Sequence, residues 1–122
     1  MLYGQEPGVD IKVPWELARM QHLPLLAMAS HYADQTRISA YRRECLDQIL
    51  DFISANPPGY GVNWVCTMDV AIRAANIAMV CWLLETSGYH IEHRVSDTIA
   101  TSLVAHGRHI MENLEWSPVT RA

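Results

Sequence analysis

The stretch Asn56-Pro57-Pro58-Gly59-Tyr60-Gly61-Val62-Asn63-Trp64-Val65-Cys66-Thr67-Met68-Asp69-Val70-Ala71-Ile72-Arg73-Ala74-Ala75-Asn76 decides the fold. Its first part is turn chemistry, with paired prolines and glycines that stop a preceding helix. Its second part reads as a helix that is apolar on almost every side. The exceptions are Asp69, Arg73 and Asn76, which recur at i, i+4 and i+7 and share one stripe. Charged groups on a buried helix are costly unless they are paired or border a wet cleft. The stripe is therefore the first candidate for a functional surface.

Working outward, helical periodicity continues on both sides. Residues 1–13 read as an irregular lead-in, and Pro14 suits the first turn of a helix. That helix runs from Trp15 to about Tyr32, with Leu17, Met20, Leu25, Met28 and Ala29 on one side and a kink or break at Pro24. A second helix, capped at Thr36, reaches about Ala55 with the stripe Ile38, Tyr41, Cys45, Ile49, Phe52 and Ile53. The apolar helix spans about Thr67 to Thr86, with Thr67 as its cap, and ends at Ser87-Gly88. A fourth is capped near Ser96. Its core side is Ile99, Leu103, Ile110, Met111 and Leu114, and Gly107 is either its weak point or a place of close packing. No strand pattern competes. The expectation is an all-α domain over 14–122, built of antiparallel helical hairpins with the third helix sandwiched. Four helices cover an all-apolar helix poorly, so more protein is expected against it.

Composition narrows the function classes. Half of the 122 residues are hydrophobic and 18% are charged, a globular rather than a disordered balance. A net charge of −4 without a basic cluster argues against nucleic acid as a partner. No run of about 18 consecutive apolar residues occurs, since Arg73 and Asn76 interrupt the longest one, so no membrane span is expected. The N-terminus lacks the basic-then-apolar order of a secretory signal. This leaves either a cytoplasmic protein or a chain that starts downstream of its natural beginning. Cys45, Cys66 and Cys81 form no CxxC spacing, and Cys45 and Cys81 read as inert buried thiols.

Three blocks carry a family resemblance: Asp10 to Pro24, Asn56 to Asn76, and His106 to Trp116. Together they resemble the N-terminal helical domain of the heparinase II/III-like polysaccharide lyases. The resemblance implies an incomplete α/α toroid, a β-sandwich packed on it, and an acidic, uronic-acid-containing and possibly sulfated polysaccharide in the cleft between them. The implied chemistry is β-elimination. One group neutralises the sugar carboxylate, a base removes the adjacent proton, and an acid protonates the leaving oxygen. The family's neutralising asparagine sits in an Asn-His pair just beyond a segment like Leu114-Glu115-Trp116-Ser117. Its acid–base tyrosine and histidine come later. This sequence reaches Ala122 without that pair. The expectation is a part of a larger lyase that supplies one wall of the substrate cleft and holds no catalytic residue and no cofactor of its own. The family suggests a periplasmic or secreted setting.

The candidate binding residues each have a structural alternative. Asp69, Arg73 and Asn76 form either an i,i+4 pair on an exposed edge or a cleft wall where Arg73 meets a carboxylate or sulfate with its planar fork. Tyr60, Asn63 and Trp64 either stack on sugar faces or staple the helix start to the core. Glu16 and Arg19 read as an i,i+3 pair locking the first helix to the third. His106 is placed in the cleft beside Asn113. His106 with His109, and His90 with His93, lack the third ligand zinc needs, so no metal site is assigned. Two other functions remain open: a non-catalytic helical glycan-binding or scaffold module, and a toroid glycoside hydrolase. The hydrolase would need a second carboxylate beside Asp69.

Overall fold

The computed structural model describes residues 18–114. The lead-in over 1–13, Pro14, Trp15 and Glu16, and the Trp116-Ser117-Pro118 end lie outside the described residues. Within them the chain is all-helical: α1 (His22–Ser30), α2 (Gln35–Ala55), a 3-10 turn (Val62–Trp64), α3 (Thr67–Thr86) and α4 (His93–Glu112).

Several boundaries differ from the sequence expectation, each for a local reason. Pro24 neither kinks nor splits α1, because α1 begins only at His22. Pro24 thus falls in the first turn, where a backbone N–H has no intrahelical acceptor to lose. The break comes earlier, at Met20, whose φ of +61° turns the chain. That left-handed conformation costs a residue with a Cβ about 1–3 kcal/mol. Asp34, not Thr36, caps α2. Its carboxylate accepts from the Arg37 N–H at 3.0 Å and from the Thr36 hydroxyl at 2.7 Å. Thr67 is the first residue of α3 rather than its cap, and its hydroxyl donates to the Asn113 carbonyl at 2.6 Å. α3 ends at Ser87-Gly88 as expected. Gly88 takes φ +91°, which turns the chain so that the Tyr89 N–H reaches back to the Leu84 carbonyl while the Gly88 N–H meets the Glu85 carbonyl. α4 starts at His93, one turn ahead of Ser96.

The apolar core gathers around the second half of α3. Leu23 and Ala27 of α1, Cys45, Leu46 and Ile49 of α2, Ile77, Val80 and Leu84 of α3, and Ile99 of α4 are buried together. Each large side chain removed from water there contributes about 1.5–3 kcal/mol. Burial pushes the Cys45 thiol up to about 11, and Cys81 is raised for the same reason. All three cysteines are free.

Two packing expectations are corrected. The core line of α4 runs through Ile99, Ser102 and His106, while Met111 and Leu114 are exposed. Polar Ser102 and His106 hold core positions because they serve a buried partner on α3. The third helix is also not sandwiched. α3 packs closely against α1 and α4 and meets α2 through the shared core and the Arg73–Phe52 stack, which still leaves Met68, Met79 and Trp82 exposed. By length and composition alone α3 is apolar enough to cross a membrane. In this fold its Asp69 and Arg73 are buried against protein groups.

Gly107 is the weak point, not a close contact. A methyl group there would meet nothing within 4 Å. Gly107→Ala is expected to stabilise the chain by about 0.5–1 kcal/mol, because alanine restricts the unfolded chain and favours the helix. Urea unfolding of the two proteins, compared by midpoint, checks this.

Candidate functional site

Arg73 occupies the centre of the polar half of the molecule and is completely buried. Its guanidinium lies over the Phe52 ring at 4.3 Å and the Trp64 ring at 4.9 Å. Its Nε donates to His106 Nε2 at 2.9 Å, and Nη1 donates to the Ala18 carbonyl at 3.5 Å. Among the described residues Nη2 has no partner. A desolvated cation between two aromatic faces gains about 2 kcal/mol or more. Burial still pulls the Arg73 pKa down to about 10, opposed by Asp69 one turn away, so the group stays protonated at neutral pH.

This contact needs a neutral imidazole. His106 Nδ1 donates to the Ser102 carbonyl at 2.8 Å, which leaves Nε2 as the acceptor facing Arg73. Burial, with the nearby Arg73 and His109 charges adding to it, drops the His106 pKa to about 4. His106 is therefore not in the cleft beside Asn113. It lies inside, while Asn113 is exposed and bonded to His109.

The polar stripe of α3 has a role that neither expectation contained. All three members hold the chain corner just before α1. Asp69 accepts from Arg19 Nε at 2.5 Å, Arg73 reaches the Ala18 carbonyl, and Asn76 Nδ2 donates to the Arg19 carbonyl at 2.8 Å. The stripe is thus neither an exposed i,i+4 pair nor an open cleft wall, since Asp69 and Arg73 are 3% and 0% exposed. It satisfies main-chain carbonyls that Met20's turn leaves without a helical partner. Arg19 does lock the N-terminal segment to α3, through Asp69. Glu16, the partner expected for it, lies outside the described residues.

The 56–64 turn is tied down by Asn56. The Asn56 side chain donates to the Phe52 carbonyl and accepts from Asn63 Nδ2, and its carbonyl accepts from Trp64 Nε1. Trp64 is buried, edge-on to His109 and tilted against His106, and its carbonyl accepts from His109 Nε2. It staples the start of α3 to α4. Tyr60 points the other way and is 73% exposed, carried by Gly59 and Gly61 at φ +81° and +88°.

Between this turn and α4 lies a groove. One end, about 380 Å³, is floored by Phe52 and Trp64 and edged by Thr98, Thr101 and Ser102. The other end, about 360 Å³, is lined by Gly59, Arg108, His109 and Glu112. Pro58 and Ala105 border both ends. The structure therefore brings Trp64 to the groove, sets Tyr60 next to its Gly59 rim, and leaves Asp69, Arg73 and Asn76 out of its lining. No family model matches the sequence, and no curated protein or solved structure does either. Among the described residues no three metal-ligating side chains gather.

Sequence reasoning missed Phe52, Ser102, Thr98 and Thr101 as parts of the site. One signal was available. Ile99, Ser102 and His106 follow i, i+3, i+7, so polar residues interrupt an apolar line just as they do on α3.

Arg73→Ala is expected to cost about 3–5 kcal/mol, since it opens a cavity and strands the His106 and Ala18 acceptors. Arg73→Lys should cost less but well above the surface range, because an ammonium cannot stack as a plane. Denaturant unfolding measures both.

His106 sets a pH dependence. The unfolded chain takes up its proton near 6.5 and the folded chain only near 4. Its contribution is therefore complete above 6.5 and is lost as pH falls toward 4, on the order of 3 kcal/mol in all. His106→Gln keeps an acceptor without titrating. It is expected to flatten the fall in melting temperature between those values relative to wild type.

Proposed function

We propose that this chain is the N-terminal part of the helical domain of an acidic-polysaccharide lyase, and that the groove between the 56–64 turn and α4 is its share of the glycan cleft. The observation that carries the reading is this groove, with an aromatic floor, a hydroxyl edge and an exposed tyrosine on a rigid turn. Sugar rings present apolar C–H faces to aromatic rings and hydroxyls to groups such as Thr98 and Thr101. Arg108 is the basic side chain at the groove's edge able to meet a carboxylate or sulfate. That role passes from Arg73 to Arg108, because a fully buried guanidinium meets no polymer without opening the core. The sequence resemblance supplies the reaction class, β-elimination at a uronic acid, with the neutralising, acid and base groups contributed by other parts of the same protein.

The uncovered line Met68, Met79 and Trp82 on α3 supports further toroid helices and a β-sandwich of that protein as the packing partners. A second reading has its own support. The polar stripe does structural work, and the carboxylate lining the groove's aromatic end, Asp97, is paired with His93 at 3.3 Å on its own helix, which suits a glycan-binding module without chemistry.

Titration of the labelled chain with uronate oligosaccharides, followed by NMR, tests the groove. Shifts are expected at Tyr60, Thr101 and Arg108. Tyr60→Ala should weaken binding about five- to tenfold while leaving the melting temperature within a degree or two, as for an exposed residue. Shifts confined to other faces, or none at all, would overturn the assignment. Release of unsaturated uronate by the whole protein separates the lyase from the binding module.

A further inference from the structure

Arg73 Nε and His106 Nε2 meet at 2.9 Å, and both side chains are completely buried. We propose that this contact is an acid-sensitive switch: a proton on His106 frees the Ala18–Arg19 corner and the Trp64 turn together, while the apolar half of the molecule stays folded. The switch is independent of what the groove binds.

The first observation is that the contact tolerates one charge state only. Arg73 Nε can only donate, and His106 Nδ1 is committed to the Ser102 carbonyl at 2.8 Å. His106 Nε2 must therefore offer a lone pair. A proton there sets two donors and two positive charges against each other, in surroundings where salt screens little. Unpaired charge of that kind is strongly destabilising inside a protein.

The second observation is what surrounds the pair. α2 supplies Phe52 and the 3-10 turn supplies Trp64, neither of them charged. α4 adds His109, whose Nε2 donates to the Trp64 carbonyl. α3 adds Asp69 and the corner adds Arg19, and these two hold each other. No carboxylate contacts His106 among the described residues, so nothing in the closed cluster compensates an imidazolium. Asp69 does stand one helical turn from Arg73, on the same stripe. A displaced Arg73 takes Asp69 in place of Arg19. The corner then loses two of its ties at once, because Arg73 also leaves the Ala18 carbonyl. Trp64 loses the cation it faces and the imidazole it tilts against.

The third observation is that these groups stand apart from the main core. The buried apolar cluster runs through Leu23, Cys45, Ile49, Ile77, Leu84 and Ile99 and does not reach Trp64 or Val70, although both are buried. The polar half can thus open without unpacking that cluster. Trp64 lines the groove, so the open form loses part of the groove's floor. Proton uptake sets the direction. The open form takes its proton near the ordinary 6.5, the closed form only near 4, because burial and then the Arg73 and His109 charges oppose it. Opening is therefore independent of pH above 6.5 and rises about tenfold per pH unit below it, until the closed form also takes the proton near 4.

Hydrogen exchange of the full 122-residue chain, followed by NMR in low urea, tests this, with protection corrected for the intrinsic rate at each pH. The reporters of the polar half are the Trp64 indole N–H, bonded to the Asn56 carbonyl, and the Arg19 Nε–H, bonded to Asp69. Those of the apolar half are the α3 amides of Val80 and Leu84. Protection at the polar reporters is expected to fall about twentyfold between pH 7 and about pH 5, a window in which ordinary carboxylates stay ionised. It should depend little on urea, because a local opening exposes little surface. Val80 and Leu84 should stay about tenfold or more better protected throughout and lose protection steeply with urea, as global unfolding requires. His106→Gln should abolish the fall, and His109→Gln, which keeps a donor for the Trp64 carbonyl, should retain it. Should His106→Gln fail to fold, the wild-type profile decides alone. Polar reporters that stay flat with pH overturn the switch. So do polar reporters that share the level and urea slope of Val80 and Leu84, or a fall that survives in His106→Gln.

Discussion

A guanidinium buried with no carboxylate in contact among the described residues is the constraint around which this fold is arranged. Arg73 is held by two aromatic rings, one neutral imidazole and one main-chain carbonyl. These come from α2, the 3-10 turn, α4 and the corner before α1, so a single side chain fixes the relative positions of four segments. The arrangement also dictates chemistry to its neighbours. His106 must stay neutral, Ser102 must offer its carbonyl to set the tautomer, and Trp64 must lie flat enough to share the cation with Phe52. The groove's aromatic floor is a by-product, because Phe52 and Trp64, which hold Arg73, also line the groove.

α3 therefore has two halves with different rules. From Ile77 to Leu84 it is held by close apolar packing, where a lost methylene is felt directly. From Thr67 to Asn76 it is held by directed polar contacts, where the identity of donor and acceptor matters more than volume. Asn56 repeats this second mode on a smaller scale, closing the 56–64 turn with three hydrogen bonds from one residue. The groove lies against the polar half, where the scaffold already carries aromatic walls.

Much of the helical plan was legible because its signals are local. The Asn56-Pro57-Pro58-Gly59 stop, the Ser87-Gly88 stop and the apolar run of α3 act within a few residues of themselves. Other features were not, for physical reasons. Asp34 took the cap from Thr36 because a carboxylate one step earlier could accept from both the backbone and that hydroxyl. Pro24 became harmless because Met20 broke the chain first, and nothing in a methionine announces a left-handed backbone. The stripe Asp69, Arg73, Asn76 was visible as a conflict, but its resolution was not. Spacing shows which residues share a face and is silent on whether that face meets a sugar, water or a distant carbonyl. Arg73's partners Phe52, Trp64 and His106 were each noted as part of another pattern, and only the fold joins them.

The clamp between α3 and the Ala18–Arg19 corner joins residues 50 to 57 positions apart in the chain. Such contacts form only after a long segment has closed on itself, whereas the helices and their caps form from near neighbours. The entropy of closing that loop places the clamp among the contacts added onto helices already formed, and where such a contact follows the rate-limiting step its loss speeds unfolding alone. Interactions of that kind leave the speed of assembly almost untouched and govern how slowly the finished molecule comes apart. The polar seam acts as a latch on lifetime, and a chain bearing a damaged seam would fold at its usual pace and then fail to persist.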